Sequence, residues 1–111
     1  MDFEVSIAEH ADVYSVVAVR GEVDLHTASK VQYAIERGSE GVEAVVVDMG
    51  DIAFMDSTAL AALMRCRESL EKKGISLRLT APSHAVERIF AVTGFGHYFD
   101  VYPSREAAIP R

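Results

Sequence analysis

Apolar and polar positions alternate from the start of the chain. Phe3, Val5 and Ile7 are separated by Glu4 and Ser6, which gives one wet and one dry face and predicts a strand near a sheet edge. His10 to Asp12 reads as a turn, and Val13 to Arg20, rich in valine and carrying Tyr14, as a second strand. So short a connection makes the two strands antiparallel neighbours. Gly21 to Leu25 then reads as a loop, and Thr27 as the N-cap of a helix. In that helix Val31, Ala34 and Ile35 keep helical spacing, and Gly38 and Gly41 end it. Ala44 to Val47 is apolar and mostly β-branched with no polar alternation, the pattern of a strand covered on both faces. It predicts the central strand of the sheet, running to Met49. Asp48, Gly50 and Asp51 supply the stop, and Ile52 to Met55 a short link.

Past that link the period changes to that of a helix. Leu60, Leu63, Met64 and Leu70 form a core-facing stripe, and Arg67 with Glu71 and Glu68 with Lys72 are spaced as i,i+4 ion pairs on the wet side. Gly74 ends the helix. Ser76 to Thr80 predicts a strand with Leu77 and Leu79 on one face, and Pro82 and Ser83 start a helix that uses Val86, Ile89 and Phe90 and stops at Gly94. Phe99 to Val101 predicts a last short strand, and Ser104 the cap of a terminal helix through Ile109. The order of elements defines an α/β fold: a small mixed β-sheet that opens with an antiparallel hairpin and continues with alternating helices and mostly parallel strands. A length of 111 residues predicts a single domain over 1–111.

Composition narrows the function. The net charge is -6 and the basic residues are scattered, which argues against binding to nucleic acid or to an anionic membrane surface. No apolar run approaches the roughly 20 residues that span a bilayer, and the acidic start MDFEVSIAEH is unlike a signal peptide, so the expected compartment is the cytoplasm. The single cysteine, Cys66, lies at the edge of the buried stripe and reads as a packed, inert thiol. His10, His26, His84 and His97 show no metal-binding spacing, and there is no glycine-rich phosphate loop, so neither metal nor cofactor is expected. Ser57 is flanked by Met55, Asp56, Thr58 and Ala59, not by the glycines of a nucleophile elbow, which speaks against an enzyme.

Two readings of Asp56 and Ser57 stand side by side. The plainer is a helix cap, the ordinary use of Asp and Ser at such a point. The other is a site for an anion, because unpaired N–H groups and the positive end of the helix dipole stabilise negative charge, including a phosphate carried by the serine itself. Three features favour the second: Phe54 and Met55 read as exposed, the helix begins with an uncharged run from Ser57 to Met64, and Thr58, Ala61 and Ala62 fall away from the core stripe as a small-residue docking face. A competing switch, a phosphorelay receiver, would place an acyl phosphate on Asp48 beside magnesium. The chain opens with a hairpin and lacks the acidic pair such a site needs.

Several stretches, in order, resemble the anti-sigma-factor antagonists, whose domain is called STAS. Phe54, Met55, Asp56, Ser57 and Thr58 match the family's phosphorylation segment. Gly21, Glu22, Val23 and Asp24 with Thr27 and Ala28, the strand end at Asp48, and Ser83 to Phe95 with Val86, Arg88, Phe90 and Gly94 match further segments. The resemblance implies that an anti-sigma factor which is also an ATP-dependent serine kinase phosphorylates Ser57. The unmodified protein would bind that kinase and free its sigma factor, with a serine phosphatase as a further candidate partner. It also implies a partner-binding surface of Glu22, Asp24, Thr27, Asp56, Thr58, Ala59, Ala61 and Ala62. Ala59 departs from the family pattern, which has glycine there, so its methyl is expected to stand against a partner backbone. A STAS module with a scaffold or sensor role in a stress-signalling complex is the alternative within the same family.

Overall fold

The computed structural model describes residues 2–110. A five-stranded sheet has the order β1-β2-β3-β4-β5, with β1 at Phe3–His10, β2 at Tyr14–Val23, β3 at Ala44–Met55, β4 at Ser76–Thr80 and β5 at Asp100–Tyr102. β1 and β2 form the antiparallel hairpin, and every later pairing is parallel. Ala44 to Val47 occupies the middle of the sheet and is fully buried, as its unbroken apolar pattern requires.

Three helices, α1 at Ala28–Gly38, α2 at Ser57–Lys72 and α3 at His84–Thr93, share the main core with one face of the sheet. Val17, Val19, Val45, Val47, Leu77 and Leu79 meet Ile35, Leu63, Leu70 and Phe90 there. The opposite face carries a smaller cluster, Val16, Val46 and Ala108, flanked by Tyr14 and Tyr102. The four-residue α4, Arg105–Ala108, is held on it by Arg78, which donates to the Ala108 carbonyl at 2.8 Å, and by Arg105, 2.7 Å from Asp48. Ser83 and Ser104 cap α3 and α4 by accepting from Val86 and Ala107, and Gly94 ends α3 in the left-handed region, as the sequence predicts.

Three expectations are corrected. β3 does not stop at Met49: it continues through the supposed link to Met55, and β2 continues through the supposed loop to Val23. The extra residues pair with one another, Gly21 with Ile52 and Val23 with Met55, beyond the last β3–β4 pair, Asp48 with Thr80. Asp48, Gly50 and Asp51 are tolerated in a strand because Met49, Ile52 and Met55 carry the buried positions between and beyond them. Two register shifts in the β2–β3 pairing absorb the irregularity. In α2, Arg67 reaches Glu71 at 2.9 Å as expected, but Glu68 does not pair with Lys72; it accepts a hydrogen bond from the Tyr98 hydroxyl at 2.9 Å. Arg67 lies over the same tyrosine ring, 4.6 Å from its centroid.

Candidate functional site

The extended β2–β3 pair delivers two chain segments to one place. Val23 and Met55 are register partners, and the Asp56 N–H donates to the Val23 carbonyl at 3.3 Å, so Asp24 and Asp56 leave the sheet side by side. The segment after β2 is closed by its own hydrogen bonds. The Asp24 side chain accepts from the His26 N–H at 2.9 Å, and the Asp24 carbonyl accepts from Ala28 at 2.8 Å. Thr27 braces it from beneath, donating to the Glu22 carbonyl at 2.9 Å while accepting from the Asp24 N–H at 3.0 Å. Thr27 precedes α1 but is no side-chain cap, and it is buried, so its hydroxyl acts inside the loop and not on the surface.

Asp56 and Ser57 divide the roles that the sequence left joined. Asp56 is the N-cap of α2: its backbone is extended and its carboxylate accepts from the Ala59 N–H at 3.0 Å. Ser57 is the first helical residue and is exposed. The capping energy therefore belongs to the aspartate. Asp56→Ala should cost about 1 kcal/mol of stability, whereas Ser57→Ala should stay within about 0.5 kcal/mol. Urea denaturation of the two variants checks this, and a larger loss for Ser57→Ala would return the serine to a structural role. First-turn N–H groups that the cap does not satisfy have no intrahelical acceptor, and α2 has no acidic residue in that turn, so Ser57 sits at the positive end of the helix.

The small-residue face at the start of α2 is less exposed than the sequence predicts. Thr58 and Ala61 are half-buried, and Phe54 is exposed, but Ala59 and Ala62 are buried and so is Met55. The reason is that α2 packs on α1 as well as on the sheet, which widens its buried face beyond the leucine stripe. Ala59, Ala62 and Cys66 line an apolar void of about 10 Å³ together with Ala28, Val31 and Val47. The Ala59 methyl is thus buried against this void and not on the surface where the sequence predicts it. Ala59→Gly should lower stability by about 1 kcal/mol or more through lost helix propensity and a larger void, as read by urea denaturation. A variant as stable as wild type would overturn the inward placement.

Cys66 is buried beside this void, and burial, with Glu36 adding a smaller effect, pushes its thiol up to about 12. Native protein at pH 8 should therefore resist iodoacetamide and react fully once unfolded. Below about 8.5 both states hold the thiol proton and no stability is lost; as pH climbs from there toward the native value the unfolded chain ionises alone and stability falls. Asp48 is engaged on both oxygens, one accepting from the Gly50 N–H at 3.0 Å and the other paired with Arg105. Those contacts weigh against an acyl-phosphate site. The four histidines are exposed and dispersed.

Comparison with known proteins places this geometry in a class. A family model for the STAS domain matches residues 4–108, and the chain belongs to that family. It is 29% identical over 104 residues to the anti-sigma-F factor antagonist RsfA of Mycobacterium tuberculosis, covering 91% of this chain and 81% of the relative. It is also 29% identical over 103 residues to the anti-sigma-B factor antagonist of Listeria monocytogenes, covering 91% and 90%. A crystal structure of an anti-sigma factor antagonist from Mycobacterium paratuberculosis superposes with a TM-score of 0.81 at 29% identity, over 96% of this chain and 91% of that one.

Proposed function

We propose that this protein is an anti-sigma factor antagonist of the partner-switching kind. The unphosphorylated form binds an anti-sigma factor that is also a serine kinase and so frees the sigma factor; phosphorylation of Ser57 ends that binding, and a serine phosphatase restores it. The observation that carries the reading is the exposed Ser57 at the first position of α2, its capping duty already met by Asp56. Its hydroxyl is available for modification without cost to the helix. The family and the relatives named above support the same role.

Glu22, Asp24, Asp56, Thr58 and Ala61 make the contact surface, and Thr27, Ala59 and Ala62 hold it in place from within. The protein acts as a binding partner and not as an enzyme, in the cytoplasm where sigma factors work. No helix among the described residues is long and apolar enough to cross a membrane. The direct test is to incubate the protein with the cognate kinase and ATP and to map the modified residue by mass spectrometry. Phosphate on Ser57 and its loss in Ser57→Ala support the reading; modification elsewhere rejects it.

A further inference from the structure

We propose that the free edge of β1, with the groove between it and α1, binds an extended acidic segment of another protein as an added strand. β1 ends the sheet, so one side of its backbone has no neighbouring strand among the described residues. Beside it lies a groove of about 580 Å³ whose lining includes Val5, Ile7, Ser29, Lys30, Tyr33 and Arg37. Its floor is apolar and open to solvent, Ile7 at 39% and Tyr33 at 59% exposure.

Charge selects the occupant. The chain as a whole is at -6, yet the groove's ionisable lining residues other than Tyr33 are cations. Lys30 makes no ion pair among the described residues, and Arg37 reaches Glu40 only at 3.6 Å between exposed side chains. Arg37 also donates to the Tyr33 hydroxyl at 3.1 Å, which holds the guanidinium over the groove wall. The carboxylates of β1 point elsewhere: Glu4 pairs with Arg20 in a groove shared with Asp48 and Arg105, and Glu9 accepts from Tyr14, whose ring flanks the cluster on the opposite face of the sheet. Lys30 and Arg37 are separated by about 10.5 Å along the helix axis. Residues i and i+4 of a strand lie about 13 Å apart on one face, within reach of two long cationic side chains. The segment that fits is therefore acidic–x–apolar–x–acidic, with the apolar residue over Ile7 and Tyr33 and its backbone pairing with β1. A second copy of this chain fits less well, because a two-fold pairing of β1 edges would bring the cations of both α1 helices together.

Glu22, Asp24, Asp56, Ser57 and Thr58 are absent from the lining, so this surface is separate from the switch and does not depend on it. The test is titration of ¹⁵N-labelled protein with the heptapeptide Thr-Glu-Thr-Val-Thr-Glu-Thr. Amide shifts confined to β1 and the outer face of α1 are expected, with equal affinity for wild type and Ser57→Asp. Lys30→Glu combined with Arg37→Glu should weaken binding about five-fold or more, as should replacing both glutamates of the peptide by glutamine. No shifts at millimolar peptide, shifts centred elsewhere, equal binding of the glutamine peptide, or dimerisation through β1 without peptide would each overturn the proposal.

Discussion

Phosphorylated protein and Ser57→Asp should bind the anti-sigma kinase at least about ten-fold more weakly than wild type, a loss of 1.4 kcal/mol or more, while Ser57→Ala binds and cannot be modified. The charge added by phosphate, roughly -1.5 to -2, falls next to Asp56 and close to Asp24, whose strand ends beside it, so the surface there is already acidic. The helix N-terminus stabilises that charge locally, so the domain has little cause to rearrange. A partner has ample cause to leave, because docking would strip water from a doubly charged group unless it supplied paired cations. Calorimetric titration of the four forms against the kinase with adenine nucleotide reads the effect, and circular dichroism of each form alone reads the fold. Equal affinity for modified and unmodified protein would refute the switch, and a large spectral change would show that phosphate acts by unfolding.

Gly21→Ala should lower stability by about 2 kcal/mol or more. Gly21 sits at φ +93°, and a Cβ built there would lie 2.1 Å from the Asp2 carbonyl oxygen and 2.9 Å from the Phe3 Cα, both backbone atoms that cannot turn aside. The Glu22 N–H donates to that same carbonyl at 2.8 Å, so the close approach of the first strand depends on the missing side chain. The effect should also reach the site, since Gly21 lies where β2 enters the two-stranded arm that ends at Val23 and Met55. Thermal unfolding measures the first effect and kinase affinity the second. A variant as stable as wild type would mean that the hairpin can open at Asp2 without penalty.

The sequence makes the fold legible wherever one signal dominates. Ala44 to Val47 identifies the central strand, Ser83 and Gly94 bracket α3, and Ser76 to Thr80 has the right ends, because apolar runs, caps and glycines act locally. It misleads where the decisive contact is remote. Asp48, Gly50 and Asp51 look like a stop, and only the pairing of β2 with the far half of β3 turns them into strand. Ala62 looks like a bare surface because a small side chain carries the same weak signal whether it faces water or a close-packed helix, and α1 decides between them. At the site, local pattern brings Asp56 and Ser57 to notice, whereas Asp24 enters only through the family resemblance. It does not divide cap from free hydroxyl, since either residue type can cap and the choice is fixed by where the extended backbone ends and the helix begins.

The shared departure of Asp24 and Asp56 from two hydrogen-bonded strands has a kinetic meaning. Both segments are fixed before any partner arrives, so encounter requires no ordering of the loops and proceeds at the pace set by diffusion and orientation. Under the proposed switch, discrimination between the two chemical states of Ser57 would then be expressed after contact, in how long the complex lives. A kinase sampling many copies of the protein would release the spent ones quickly and dwell on the fresh ones.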